Sequence, residues 1–404
     1  MHSAKPSPFW GGLGGDSEVG KAIRCSSTYF RNANLCANLC NIQPCLKVLQ
    51  TNFLYRSLLN PIKKLKQYNQ NLYTTLTYTE MKKIVVAGAG GFIGGHLARK
   101  LKDMGNDVRA VDKKPLTQWY QVHTDIDNLV LDLNSKENCY TALNGYNEVF
   151  NLAADMGGMG FIETHKAECM LSVLINTHLL MAAKDLGISR FFYASSACVY
   201  NGEKQQDVNN PGLKESDAYP AQAEDGYGWE KLFSERMCRH FREDYGINTR
   251  VARFHNVYGP NGTWDGGREK APAAMCRKVL EAELYGKKDI NIWGDGEQTR
   301  SFMYITDCVE GILKIMYSDI IEPINLGSSE MVSINQLVDI VENIAGIKLN
   351  RTYDLNAPKG VRGRNSDNTL ILELLKWEPS LPLAKGMKET YDWIRTQMVS
   401  GGIK

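Results

Sequence analysis

The chain has 404 residues, 43% hydrophobic and 23% charged, enough for one large or two ordinary domains with a substantial core. Its net charge of +2 divides unevenly: residues 1–80 hold nine Lys/Arg against Asp16, Glu18 and Glu80, which leaves the remainder at −4 and without the basic footprint of a nucleic-acid binder. No apolar run approaches the ~18 residues that a membrane span needs, so neither nucleic acid nor membrane is an expected partner.

Residues 1–80 are a basic, acid-poor leader rich in Ser and Asn. They read as an organelle-targeting segment, a disordered extension or sequence upstream of the working protein, and the three alternatives stay open. Cys25, Cys36, Cys40 and Cys45 within it match no usual zinc spacing, and no metal is expected. The body cysteines (Cys139, Cys169, Cys198, Cys238, Cys276 and Cys308) are scattered without a framework spacing. That pattern suits a reducing compartment and a cytoplasmic location, with organelle targeting left open by the leader.

Structure begins abruptly at Lys82, where "KKIVVAGAGGFIGGHLARKLKDMGNDVRAVDKK" predicts strand, glycine turn, amphipathic helix and second strand, one βαβ unit. Gly88, Gly91 and Gly94 follow the strand directly, and Phe92 and Ile93 open the helix, so bare backbone and unpaired N–H groups meet at a helix N-terminus. That is what a pyrophosphate requires. Asp112 closes the second strand 18 residues after Gly94, placed to accept hydrogen bonds from an adenosine ribose. Its carboxylate would repel a 2′-phosphate, which favours NAD, although Lys113 and Lys114 beside it soften the argument.

Further alternation follows: the strand "NLVLDL" with Asp132, the strand "EVFNLAAD" with Leu152, Ala153 and Ala154 in its exit turn, a helix around Leu171 to Leu186, then the strand "RFFYASS". The expected fold class is therefore α/β, a Rossmann-type doubly wound parallel sheet in which ligands bind at the C-terminal strand ends. Asp132, Leu152, Ala153 and Ala154 join the candidate cofactor residues on this ground, and Ser195, Ser196, Ala197 and Cys198 stand on the same rim.

Tyr227 and Lys231 in "DGYGWEKLFSERMCRHF" are four apart at the start of a helical stretch, so both side chains leave one face. An ammonium near a phenol stabilises the phenolate and is expected to pull Tyr227 from ~10 toward neutrality, making it a proton acceptor from a sugar hydroxyl. Lys278, Arg300 and Arg364 are candidates to hold a diphosphate, with Arg362 as neighbour. Asn256 follows the strand "TRVARF", and Gly157 in "DMGGMG" lets a sugar approach backbone, while Met156 and Met159 read as packing.

From about Lys82 to Met398 the chain resembles the extended short-chain dehydrogenases/reductases that act on nucleotide sugars. "NLAADMGGMGF", "YASSACVY", "RFHNVYGP", "GGREKAPAA", "WGDGEQTRSF" and "VRGRNSDN" narrow the resemblance to the GDP-mannose 3,5-epimerase family. The resemblance implies GDP-mannose as substrate, tightly bound NAD, a homodimer, and GDP-L-galactose as product, with GDP-L-gulose from C5 inversion alone. It implies Ser196, Tyr227 and Lys231 for oxidation at C4, and Cys198 and Lys270 for proton exchange. Glu269, Ala271, Gly294, Asp295 and Gly296, within the same strings, complete the candidate substrate contacts. The chemistry explains a thiol at a strand end. A ketone at C4 makes the C3 and C5 protons acidic, and inverting a carbon needs one group on each face of the ring.

Departures from the family pattern are the leader and, inside the motif, Gly226 and Trp229, which are expected to affect helix-start packing only. From about Asp265 simple alternation ends, and "INQLVDIVENIAG" and "LILELLKW" read as helices of a smaller cap. The expected domains are the leader at 1–80, an NAD-binding Rossmann domain at 81–255 and a mainly nucleotide-sugar-binding domain at 256–398 with some crossing back. Two rivals remain. A 4-epimerase or 4,6-dehydratase would use the same scaffold, although no acidic pair stands near Ala197 and Cys198 to expel water. A cofactor-sensing protein without catalysis is the other.

Overall fold

The computed structural model describes residues 81–401 apart from Lys359, so the readings of the leader and of Cys25, Cys36, Cys40 and Cys45 lie outside the described residues. In chain order the first half runs β1 (Lys83–Ala87), α1 (Phe92–Asp103), β2 (Asp107–Asp112), β3 (Asp127–Val130), α2 (Lys136–Leu143), β4 (Glu148–Asn151), α3 (Met159–Thr164), α4 (Lys166–Leu186), β5 (Arg190–Ser196), α5 (Asp225–Tyr245) and β6 (Asn248–Phe254). There follow β7 (Asn256–Tyr258), α6 (Ala271–Tyr285), β8 (Asp289–Trp293), β9 (Thr299–Tyr304), α7 (Ile305–Met316), β10 (Ile324–Leu326), β11 (Met331–Ser333), α8 (Ile334–Ala345), β12 (Asn350–Asp354), β13 (Gly363–Arg364), α9 (Thr369–Leu375) and α10 (Leu383–Ser400).

The strands of the main sheet run in the order β10-β6-β5-β4-β1-β2-β3, with every neighbouring pair parallel. Ile84, Val85, Val86 and Ala87 are all fully buried, as a parallel strand covered on both faces must be. This is the Rossmann-type doubly wound sheet, and β10 brings its edge strand from beyond residue 256. The smaller C-terminal part builds a second sheet around β9, flanked by β7, β11 and β13, and a parallel pair of β8 with β12.

Local chemistry fixes the parts that carry the site. Helix α1 starts at Gly91 with no side-chain cap and no acid in its first turn, so its leading N–H groups are left for a ligand. A Cβ on Gly94 would lie 2.2 Å from the Gly88 carbonyl oxygen, which makes the glycine obligatory where helix meets turn. Helix α5 is closed by Gly246 in the left-handed conformation. Behind the rim, Arg253 of β6 holds Glu235 of α5 through two hydrogen bonds of 2.9 and 2.7 Å, both side chains 3% exposed, and Ser195 donates to the same carboxylate at 2.5 Å. A buried pair of this kind fixes register between helix and strand.

Two expectations need correction. Helix α4 is long and apolar enough, by length and composition, to meet the criteria for a membrane span. Its apolarity has a fold-internal cause: Cys169, Ile175, Leu179, Leu180, Ala182 and Ala183 are buried, while Met170, Leu171 and Leu174 remain exposed. Trp229 does not serve helix-start packing, because it projects outward at 46% exposure. Gly226 does, since a Cβ there would meet the Lys166 carbonyl oxygen at 2.5 Å.

His255, just past β6, is buried and joins the sheet edge through its N–H to the Leu326 carbonyl oxygen. Asn325 spends its amide hydrogens on the carbonyls of Leu213 and Asp367, so its Oδ1 accepts from His255 Nε2 at 3.1 Å and the ring is the neutral Nε2–H tautomer. Burial pushes the imidazole down from 6.5 to about 4, against the opposing Asn325 contact. The unfolded ring takes up a proton that the folded ring refuses, so stability is complete above about pH 6.5 and drains away as pH falls toward 4. The loss amounts to about 3 kcal/mol. Melting curves across this window should therefore be less steep in pH for His255→Phe than for the wild type; parallel profiles would refute the assignment.

Candidate active site

One cavity of about 740 Å³ lies along the C-terminal ends of β1, β4 and β5 and continues beneath the loop that precedes α6. Its first half is lined by Gly88, Gly91, Phe92, Ile93, Gly94, Asp112, Asp132, Leu152, Ala153 and Ala154, so every residue expected at the cofactor comes to one surface. The turn is built for close approach: a Cβ on Gly88 would stand 2.8 Å from the Ala153 nitrogen and 2.9 Å from the Leu152 oxygen. With the uncapped start of α1 alongside, these residues fit a dinucleotide.

Asp112 shapes its own turn by accepting the Lys114 N–H at 3.0 Å. The two lysines that weakened the argument for NAD are committed elsewhere. Lys113 pairs with Asp155 at 2.9 Å, and Lys114 Nζ donates to the Gly90 carbonyl at 2.7 Å while burial pushes its ammonium below the usual value. Neither lysine is therefore left to pair with Asp112 or with a 2′-phosphate beside it.

The other half of the cavity is lined by Gly157, Ser195, Ser196, Tyr227, Lys231 and Lys270. Ser196 caps the turn Ala197–Val199 by accepting the Cys198 N–H at 3.2 Å, and its hydroxyl also hydrogen-bonds the Tyr227 phenol. Lys231 Nζ stands 5.5 Å from the Tyr227 ring centre. The pair is assembled as its spacing implied, yet the phenol is not drawn toward neutrality. Burial, reinforced by Cys198 and Glu230, holds it well above 10, and the Ser196 hydrogen bond only partly opposes them. Sequence spacing cannot reveal desolvation, which here outweighs the ammonium.

Cys198 lies immediately behind the cavity lining, 6% exposed, with Sγ accepting from Arg364 Nη1 at 3.6 Å. Arg364 is itself aimed by Gln205 at 2.6 Å and by an ion pair to Glu224. Its three guanidinium nitrogens are thereby engaged with Gln205, Cys198 and Glu224. Lys270 is the N-cap of α6, reached through Gly266 and Gly267 at φ +91° and +86°, conformations that only glycine takes without strain. Burial pushes its ammonium below the ordinary range and nearby Cys198 acts against that. A lysine lowered in this way gives up its proton more readily than a solvated one.

The remaining substrate candidates do not line the cavity. Ala197 lies buried in the turn and Ala271 opens α6. Asn256 donates to the Ser301 carbonyl, Glu269 accepts from the Gly267 N–H and Arg277, Lys278 donates to the Asn291 carbonyl, and Asp295 pairs with Arg362 at 2.9 Å. Gly294 and Gly296 turn the backbone around Asp295 with φ of +78° and +77°. Arg300 is pushed down to about 10 by burial and by Arg362, with Cys198 opposing. Three residues that the sequence did not mark prove central: Glu230 beside Lys231, and Gln205 with Glu224 behind Arg364. Only Glu230 carried a signal, its place next to the lysine.

Comparison with known proteins completes the picture. Residues 84–327 match the NAD dependent epimerase/dehydratase family. The GDP-mannose 3,5-epimerase of Arabidopsis thaliana is 48% identical over 338 residues, which span 81% of this chain and 88% of that protein. Among solved structures, UDP-glucose 4-epimerase of Thermotoga maritima with UDP-glucose superposes with a TM-score of 0.70 at 25% identity, over 78% of this chain and 99% of that one. MoeE5 in complex with UDP-glucose and NAD does so with a TM-score of 0.65 at 28% identity, over the same shares.

The Asp112 geometry makes a measurable claim. Asp112→Ala is expected to weaken NAD binding roughly 10- to 100-fold, the equivalent of about 1.5–3 kcal/mol for hydrogen bonds to a charged acceptor. Calorimetric titration of protein freed of cofactor reads this directly, and an unchanged Kd would remove the carboxylate from the cofactor site.

Proposed function

Since this chain belongs to the NAD dependent epimerase/dehydratase family, we propose that it acts as a GDP-mannose 3,5-epimerase, converting GDP-mannose to GDP-L-galactose, with GDP-L-gulose as the product of C5 inversion alone. The observation that carries the reading is the buried Cys198 thiol, held by Arg364 at 3.6 Å on the turn that Ser196 caps, together with Lys270 lining the same cavity as Tyr227 and Lys231. A 4-epimerase needs only Tyr227 and Lys231.

The Gly88–Gly94 turn and Asp112 would hold NAD, which when bound would supply a hydride acceptor and donor for C4. The protein's part is proton handling. Tyr227 Oη takes the C4 hydroxyl proton, with the Ser196 hydroxyl holding the phenol in place, and gives it back at the end. Once C4 is a carbonyl, the C–H bonds at C5 and C3 weaken. Cys198 and Lys270 then act as the opposed pair, one removing a proton and the other returning one to the opposite face. Arg364 gives the sulfur a cationic neighbour and fixes its direction.

The reading extends to assembly and location. Met170 and Leu174 on α4 and Trp229 and Phe233 on α5 are exposed large apolar side chains on two helices that pack together. We place a second copy of the chain over this face, as an isologous contact of paired helices. The cytoplasm is the proposed location, on the argument from cysteine usage.

Two measurements test these statements. In deuterated water, conversion of GDP-mannose should place deuterium at C5 and C3 by NMR, and Cys198→Ala should abolish label while leaving C4 hydride chemistry. Inversion at C4 with no label at either carbon would establish the 4-epimerase instead. For assembly, Phe233→Asp should halve the mass by light scattering on a sizing column, and a wild type that elutes as a monomer would end the dimer proposal.

A further inference from the structure

Glu230 is adjacent in sequence to Lys231 and, at 3% exposure, lies as deep as the lysine does. A carboxylate at this depth costs several kcal/mol unless it is paired. Its two oxygens are treated differently. Oε1 receives two hydroxyl donors at 2.9 Å, from Tyr193 on β5 and from Ser234 one turn along α5. Oε2 makes no hydrogen bond among the described residues and faces Lys231 Nζ at 3.5 Å. The ammonium also stands 4.8 Å above the Tyr193 ring and 5.5 Å from the Tyr227 ring. Carboxylate, ammonium and phenol thus form one buried group whose geometry is fixed from β5.

We propose that Glu230 is a positioning residue for the oxidation step: its carboxylate fixes the Lys231 ammonium and balances the charge beside Tyr227, so that the phenol both takes and returns the C4 hydroxyl proton. This rests on the reading of Tyr227 and Lys231 given above. The balance matters because the proton must travel both ways. An ammonium together with the positive charge of oxidised NAD favours the phenolate. A phenolate stabilised too strongly by cations is too weak a base to take the proton, whereas a phenol of too high a proton affinity would not give it back, so the carboxylate must offset the cations without overwhelming them.

The other groups facing the phenol are few. Cys198 and Ser196 approach from the turn after β5, Cys169 from α4, and Glu230 and Lys231 from its own helix, while α3 offers the apolar Phe161 and Ile162. After burial and Cys198, Glu230 is the next influence raising the phenol's proton affinity, and it is the fixed charge that a substitution can remove without touching the reacting atoms.

The test compares NAD-loaded wild type, Glu230→Gln and Glu230→Asp, each with and without Tyr227→Phe. Subtracting the paired ultraviolet pH titrations near 295 nm isolates the Tyr227 phenolate. Glu230→Gln should move its midpoint to lower pH by on the order of one unit, and the acid limb of kcat/KM should move with it. Glu230→Asp keeps the charge and should keep the wild-type midpoint. Coincident midpoints in wild type and Glu230→Gln would overturn the proposal. So would an equal shift in Glu230→Asp, which is also the deciding variant if Glu230→Gln does not fold. Wild-type turnover of GDP-mannose, measured alongside, keeps the two readings apart: its absence would sink the proposed substrate while the phenol titration still judged Glu230.

Discussion

The approach of helix α5 to the turn after β5 is the constraint on which the site depends. The Gly228 backbone passes so near the turn that a Cβ would lie 2.3 Å from the Cys198 carbonyl oxygen, and the Glu224 N–H donates to that same oxygen at 2.9 Å. No larger residue permits this contact. It puts Tyr227 and Lys231, on the first turns of α5, against the C-terminal end of β5, where Ser196 and Cys198 already stand. The oxidation pair and the thiol are neighbours because one helix start and one strand end share a backbone contact.

Charge then distinguishes the members of the site. Three cations surround the thiol region, and each is restrained differently: Arg364 by Gln205 and Glu224, Lys270 by burial at the start of α6, and Arg300 by burial in the second sheet. Burying cations is costly, and sites that retain them are commonly functional. The carboxylates are partitioned as well. Glu235 is consumed by Arg253 and Ser195 in holding the sheet, whereas Glu230 leaves one oxygen to the reacting machinery.

Legibility in the sequence followed the range of the interaction. The glycine turn, Asp112 and the Tyr227 and Lys231 spacing were readable because each is encoded within one βαβ unit or one helical turn, and the structure gathers all the expected cofactor residues on one surface. The contact of Arg364 with Cys198 was not readable because it joins residues 166 apart in the chain. The Tyr227 phenol was misjudged because the ammonium is visible in sequence and desolvation is not. Helix α4 shows the same blindness in reverse: its hydropathy is membrane-like, and only packing reveals that much of it faces a sheet.

The similarity to the Thermotoga maritima UDP-glucose 4-epimerase, with a TM-score of 0.70, shows how little of the scaffold decides the reaction. Sheet, cofactor turn and phenol suffice for reversible oxidation at one carbon. Epimerisation at neighbouring carbons demands two further proton carriers that do not disturb the first, and the two candidates proposed for that part come from separate elements. Cys198 comes from the rigid turn tied to α5, and Lys270 from a loop approached through two positive-φ glycines. Lys270 lies beyond β6, the last strand before the chain leaves the Rossmann half, and still lines the cavity that the ends of β1, β4 and β5 form, so the smaller C-terminal part closes over that cavity rather than standing apart from it.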